Sequence, residues 1–277
     1  MSFGEFFSRF FGLINRKITY FVQRQHDFRN STYLNDFPSG NMTTYIENFV
    51  ISQLEVNFNQ IRDVTTNYIN HRFDLLGSGW VNVSYGQIYS GLEGYQYDFT
   101  TTQEKISKRI NKSNIHHSLI VWQLIDKDYV PIDWQVDFKS GYRWSETCWS
   151  QDVSVGHLPG VDIKVPWELA RLQHLPQIAI AYVLSKKHMN IFENSEVYLK
   201  EFCNVVLDFI ANNPPRFGVN WRSSMDVGIR AVNILVAYDI FQDAGAKFIT
   251  PFKNILVRSM FEHGHFIVEN IGWNRYH

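Results

Sequence analysis

The chain has 277 residues, 45% of them hydrophobic and 16% aromatic, with 26 basic against 27 acidic side chains. That length can bury a substantial core in one large domain or two modest ones. The balanced charge excludes the global positive field of a nucleic-acid binder, so any attraction for a polyanion must be local. Two cysteines, Cys148 and Cys203, neither in a C-x-x-C pair, exclude a disulfide framework and a cysteine metal cluster.

The first 65 residues predict two helical segments, about 3–24 and 41–63, separated by the turn-rich RNSTYLNDFPSGN. The first places Phe3, Phe6, Phe7, Phe10, Phe11 and Ile14 at helical spacing, interrupted by Glu5, Arg9, Arg16 and Lys17. No run of about 20 apolar residues is present for a membrane span. An uninterrupted apolar stretch with a small-residue cleavage site is also missing, so no signal peptide is read and the cytoplasm is the default location. Such a helix packs against the protein's own body in the preferred reading; contact with a membrane surface is the alternative. The second segment carries Tyr45, Phe49, Ile51 and Leu54 in a moderate amphipathic pattern. Residues 66–130, rich in Gly, Tyr and short alternating runs, predict irregular structure with a few short strands.

From Asp162 onward the pattern is helical. Pro166 suits a first turn, and Leu175, Ile178, Ala179 and Tyr182 follow at i, i+3, i+4, i+7, with Pro176 expected to break or kink the helix near Leu175. Ser195 is the candidate N-cap of the next helix, whose apolar face is Tyr198, Phe202, Val205, Val206, Phe209 and Ile210, and which ends at Asn212-Asn213-Pro214-Pro215. A third helix is predicted near 223–241, and Thr250–Pro251 opens a fourth containing Phe252, Ile255, Leu256 and Met260. Consecutive helices joined by short loops predict antiparallel neighbours.

In the third helix, Arg222, Asp226, Arg230 and Asn233 form one polar stripe, with Met225, Ile229, Val232 and Val236 as an apolar face. On so apolar a helix the stripe is expected to face a lined cavity, and Asp226 is in reach of Arg222 or Arg230 at i±4.

Two loop regions carry the candidate chemistry. PIDWQVDFKSGYRWSETCW, from Pro131 to Trp149, is answered by NPPRFGVNWRSSMDVGIRAVN, from Asn213 to Asn233. They hold Trp134, Trp144, Trp149, Trp221, Arg143, Arg222, Arg230 and Asn220. Indole faces stack on sugar rings and guanidinium forks grip carboxylates or sulfates, so the set suits an acidic polysaccharide. Each indole also has a plain alternative as core. We take Trp144, Asn220, Trp221, Arg222 and Arg230 as substrate-binding candidates, and expect Trp221→Ala to weaken glycan binding more than it lowers the melting temperature. Glu262, His263, His265 and Glu269 crowd one helical end, but His-x-His spacing splits the imidazoles between faces, so no metal is assigned. No phosphate loop, nucleophile elbow or dinucleotide fingerprint appears, so no cofactor is expected.

The runs GVDIKVPWELARLQHLPQIAIAYVLSKK, YLKEFCNVVLDFIANNPPRFGVNW, MDVGIRAVNILVAYDIF and FEHGHFIVENIGWN resemble the N-terminal region of heparinase II/III-type polysaccharide lyases and their alginate-lyase relatives. The resemblance covers about Pro131 to the end, and HRFDLLGSG, from His71 to Gly79, is similar to capsule-cluster members of the group. It implies a mainly α fold: a partial (α/α) toroid of antiparallel hairpins over 131–277, with a less regular region containing a few short strands over 1–130. It also implies β-elimination on uronate-containing acidic glycan, and a periplasmic location as an alternative. The family's catalytic Asn–His pair and Tyr are expected past His277, so no catalytic residue is assigned and the chain reads as truncated before that segment. The second functional reading is a non-catalytic acidic-glycan-binding or capsule-assembly module.

Overall fold

The structure is a computed structural model that describes residues 3–36, 42–46, 57–89, 91, 94–97 and 106–271. It is mainly α. The helices are α1 (Phe3–Arg29), α2 (Phe58–Ile69), α3 (Ile106–Arg109), α4 (Ile115–Trp122), α5 (Lys164–Ala170), α6 (His174–Ser185), α7 (Ser195–Asn212), α8 (Ser224–Asp243) and α9 (Thr250–Ile271). Two short strands, β1 (Arg72–Phe73) and β2 (Val81–Asn82), pair antiparallel, with Arg72 opposite Asn82 and Phe73 opposite Val81.

Helix α6 lies at the centre, against α2, α7 and α8; α8 packs on α9, and α4 on α7. The reason is compositional. Helix α6 is buried along much of its length (Leu175, Ile178, Ala179, Ala181, Tyr182, Leu184) and so needs neighbours on several sides. Helix α7 buries all six residues of its predicted apolar face. Each such side chain contributes roughly 1.5–3 kcal/mol relative to exposure. Phe202 packs on Phe241, Phe248 and Phe252, so Phe202→Ala would cost about 3–5 kcal/mol.

Several element boundaries differ from the sequence reading. Residues 42–46 are not helical and α2 begins at Phe58; Phe49, Ile51 and Leu54 lie outside the described residues. Within the stretch read as irregular, Ile115–Trp122 is helical. The helix expected to bend at Pro176 is instead two helices. The chain turns at Leu172, where φ is +55°, and Pro176 falls in the first turn of α6, where its missing N–H removes no intrahelical bond. The cap of α7 is Asn194, whose side chain accepts from the Glu196 N–H, one residue before Ser195.

One buried carboxylate ties the loop after α4 to α7. Asp208 accepts from the Ile132 N–H (3.0 Å), Trp134 Nε1 (3.0 Å), Asn212 Nδ2 (2.6 Å) and the Tyr129 hydroxyl (3.4 Å). Burial pushes its carboxyl up to about 7, although the Ile132 and Trp134 donors favour the charged form.

Candidate functional site

The two loop regions singled out by sequence do meet, and backbone bonds join them. The Gly218 N–H donates to the Cys148 carbonyl (2.8 Å), the Ser150 N–H to the Arg216 carbonyl (2.8 Å), and Trp149 and Phe217 form a β-bridge. Gln135 completes the join: its Nε2 donates to Asn213 Oδ1 (2.8 Å) and its Oε1 accepts from the Val219 N–H (2.9 Å). Gly218 makes this close approach possible. Its φ is +72°, and a Cβ there would lie 2.7 Å from Gln135 Nε2.

The indoles of the pair point inward. Trp134 is fully buried on Asp208, and Trp149, 2% exposed, donates to Asp27 (2.9 Å). Trp144 is 5% exposed and donates to the Ser154 carbonyl (3.0 Å). Trp221, 1% exposed, donates to the Asn213 carbonyl (2.9 Å) and packs on His263 and Phe266. Asn220 is equally buried, its Nδ2 shared between the Trp134 carbonyl (2.8 Å) and Asn213 Oδ1 (2.9 Å). Arg143 is held between the Asp133 and Glu146 carboxylates, which outweigh burial and raise its pKa.

Arg230 is the centre of this buried layer. Fully enclosed, its Nε donates to His263 Nε2 (2.9 Å), Nη2 to the Asn220 carbonyl (3.2 Å) and Nη1 to the Ala170 carbonyl (3.4 Å), with the Phe209 ring 4.4 Å away. Among the described residues no carboxylate touches it. Burial pulls its pKa down to about 9, against the more distant Asp226, so it remains a cation at neutral pH. His263 is correspondingly neutral: burial and Arg230 lower it to about 3, and its Nδ1 lies 2.6 Å from the Ser259 carbonyl. That contact makes Nδ1 the protonated nitrogen and leaves Nε2 as acceptor for Arg230.

The polar stripe of α8 therefore faces protein on its inner side. Asp226 pairs with Arg171 (2.7 Å) rather than with Arg222 or Arg230, and Asn233 donates to the Arg171 carbonyl (2.8 Å). The face expected to be core is partly outward, with Met225 61% and Val232 58% exposed. Inward polar groups are affordable here because α5, the Val219–Trp221 turn and α9 supply their partners.

What the joined loops present outward is a ledge. Its base is the small cluster Trp144, Val153, Ile163 and Val219, and Tyr142 and Trp167 are half-buried against it. Trp167 is pinned by an Nε1 bond to the Val219 carbonyl (2.9 Å). Tyr142 stands edge-on to Trp144 and takes a 2.9 Å bond with exposed His157. Arg222, one turn beyond Val219, is half-buried, and its guanidinium bonds the neutral amide of Gln151. Among the described residues no carboxylate lies within ion-pair distance of it. Arg171, one turn beyond Trp167, is occupied by Glu168 and Asp226. Tyr142, His157 and Trp167 were not singled out by sequence; the Trp167–Arg171 spacing of four on one short helix was the available signal.

A family model described as the heparinase II/III N-terminus matches residues 50–275. The chain belongs to that family. The match takes in both joined loops, the ledge and all of α2–α9. Curated proteins and solved structures give no match. As a heparinase II/III N-terminal region, the chain is a module related to polysaccharide lyases. His263 and His265 fall on different faces of α9, the first sealed beside Arg230 and the second exposed and paired with Glu269 (3.2 Å).

Proposed function

We propose that this heparinase II/III N-terminal region holds a uronate-containing acidic polysaccharide for cleavage by β-elimination. In this reading its α5–α9 hairpins form part of an (α/α) toroid. One observation carries the reading: among the described residues the half-buried Arg222 guanidinium is bonded to a neutral amide, that of Gln151, and its backbone N–H shares the Val219 carbonyl with the Trp167 indole. A sugar carboxylate or sulfate would complete its hydrogen bonding, and the half-buried Trp167 and Tyr142 rings of the cluster around Val219 would take the apolar faces of the pyranose.

The chemistry explains why such a cation matters. β-Elimination removes the proton at C5, next to the carboxylate, and expels the sugar linked at O4. The C5 proton is weakly acidic because the neighbouring carboxylate resists further negative charge. A guanidinium on that carboxylate stabilises the charge as it develops. Within the candidate set, Arg222 contacts the glycan; Trp144, Asn220, Trp221 and Arg230 hold the loop that aims it, with Arg230 fixing the Asn220 carbonyl two residues before Arg222. No base or acid is assigned.

Titration of the protein with heparin and alginate oligosaccharides, and with neutral dextran as control, tests this reading. Binding to the uronate polymers that weakens steeply with added salt is expected. Equal affinity for dextran, or no binding to either uronate polymer at low salt, would refute it. Appearance of the ultraviolet absorbance of an unsaturated uronate end distinguishes cleavage from holding alone.

A further inference from the structure

Helix α1 has two unlike faces. One is seated on the body: Tyr20 meets Trp149 edge-on (4.5 Å), Arg24 pairs with Asp152 (2.6 Å), Phe28 packs on Phe217, and Asp27 is sealed between Trp149 and Arg216. The other face is bare. Ile14, Ile18, Phe21 and Val22 are 37%, 56%, 61% and 59% exposed. At about 100° per residue these positions fall within an arc of roughly 100°. In the sequence the same period runs back through Phe3, Phe7, Phe10 and Phe11. Isolated exposed apolar residues need no explanation, but four on one arc between Ile14 and Val22 do.

The charges around the stripe indicate what would cover it. The helix carries Arg9, Arg16, Lys17, Arg24 and Arg29 against Glu5 and Asp27. Asp27 is fully buried, whereas Lys17, at one edge of the stripe, and Arg29, two turns beyond Val22 at its C-terminal end, are exposed. A second copy of the helix laid on the stripe would set one net-basic helix against another, which is unfavourable. A layer of anionic headgroups would meet Lys17 and Arg29 with opposite charge. Among the described residues no helix is long and apolar enough to cross a membrane, so the helix would lie along the surface.

We propose that α1 docks the protein on an anionic membrane surface, with the Ile14–Ile18–Phe21–Val22 stripe among the acyl chains and Lys17 and Arg29 at the headgroups. The inference is independent of the glycan reading, since the stripe faces away from the contacts that seat α1 beside the joined loops.

Co-sedimentation of the full chain with vesicles of phosphatidylglycerol or of phosphatidylcholine tests it. The protein should pellet with phosphatidylglycerol and remain largely in solution with phosphatidylcholine. Ile18→Glu/Phe21→Glu should lower the partition coefficient by roughly tenfold or more with the melting temperature unchanged. Lys17→Glu/Arg29→Glu, which touches only exposed positions, should also lower it roughly tenfold and decides the matter if the first variant is misfolded. Absence of pelleting, or unchanged pelleting of the charge-reversed variant, overturns the proposal. So does a doubled mass by light scattering that Ile18→Glu/Phe21→Glu abolishes, which would assign the stripe to self-association.

Discussion

Replacing Arg230 tests whether the buried layer sets the site loop. In Arg230→Ala three acceptors lose their donor: His263 Nε2, the Asn220 carbonyl and the Ala170 carbonyl. Hydrogen bonds to a charged group are worth about 1.5–3 kcal/mol each, and truncation also leaves a cavity beside Phe209 and Trp221. Against this, the guanidinium has no carboxylate in contact, so deleting it relieves a desolvation cost of several kcal/mol. The balance is a net loss of about 3–5 kcal/mol for Ala, and about 1–3 kcal/mol for Arg230→Met, which refills the space but leaves the acceptors unpaired. At roughly 2–4 °C per kcal/mol, Arg230→Ala should melt about 6–20 °C lower by circular dichroism. Acid should weaken the same site. His263 titrates near 3 when folded against about 6.5 unfolded, so the unfolded chain binds more protons in between. Its contribution is full above about pH 6.5 and is lost as pH falls toward 3. An Arg230→Met protein as stable as the wild type, with unchanged glycan affinity, would refute the reasoning.

Trp221→Ala and Trp167→Ala should separate cleanly: the first, at a 1% exposed position, should lower the melting temperature by the equivalent of about 3–5 kcal/mol, reversing the sequence-based expectation. Trp167→Ala, at a half-buried ledge position, should chiefly weaken glycan binding in a titration. Gly218→Ala should cost about 1–3 kcal/mol in denaturant unfolding, because its left-handed φ and the Gln135 contact are both incompatible with a Cβ. Asp208 runs opposite to His263. Its folded pKa near 7 exceeds the unfolded value near 4, so the folded chain binds more protons between them and stability falls as pH rises through that window. Asp208→Asn should remove that slope from a stability–pH profile even if it lowers stability overall.

Helices α7, α8 and α9 could be read from the chain because periodicity, caps and proline punctuation agree there. Helix α7 stops at the Asn-Asn-Pro-Pro run and α9 opens at Thr250–Pro251, while the cap of α7 lies at Asn194, one residue before the Ser195 read from the sequence. Helix α4 escaped notice because IHHSLIVW is too short and too uniformly apolar to show a period. The inverted face of α8 has a different cause. Polar residues usually mark the solvent side, but Asp226, Arg230 and Asn233 find partners on α5, on α9 and in the loop before α6, whose proximity no local pattern reveals. The same applies to the indoles. Their gathering in two loops was legible, whereas their burial depended on the acceptors waiting at Asp27, Asn213 and Asp208.

The most direct test of the glycan-holding ledge is one affinity: wild type against Arg222→Ala, titrated with a heparin or alginate oligosaccharide at low salt. Arg222 is half-buried and, among the described residues, its side chain bonds Gln151, so its removal should leave the melting temperature within about 2 °C. The account predicts a loss of affinity of roughly tenfold or more, as expected for a charge-assisted contact. Unchanged affinity in a folded Arg222→Ala protein would contradict it.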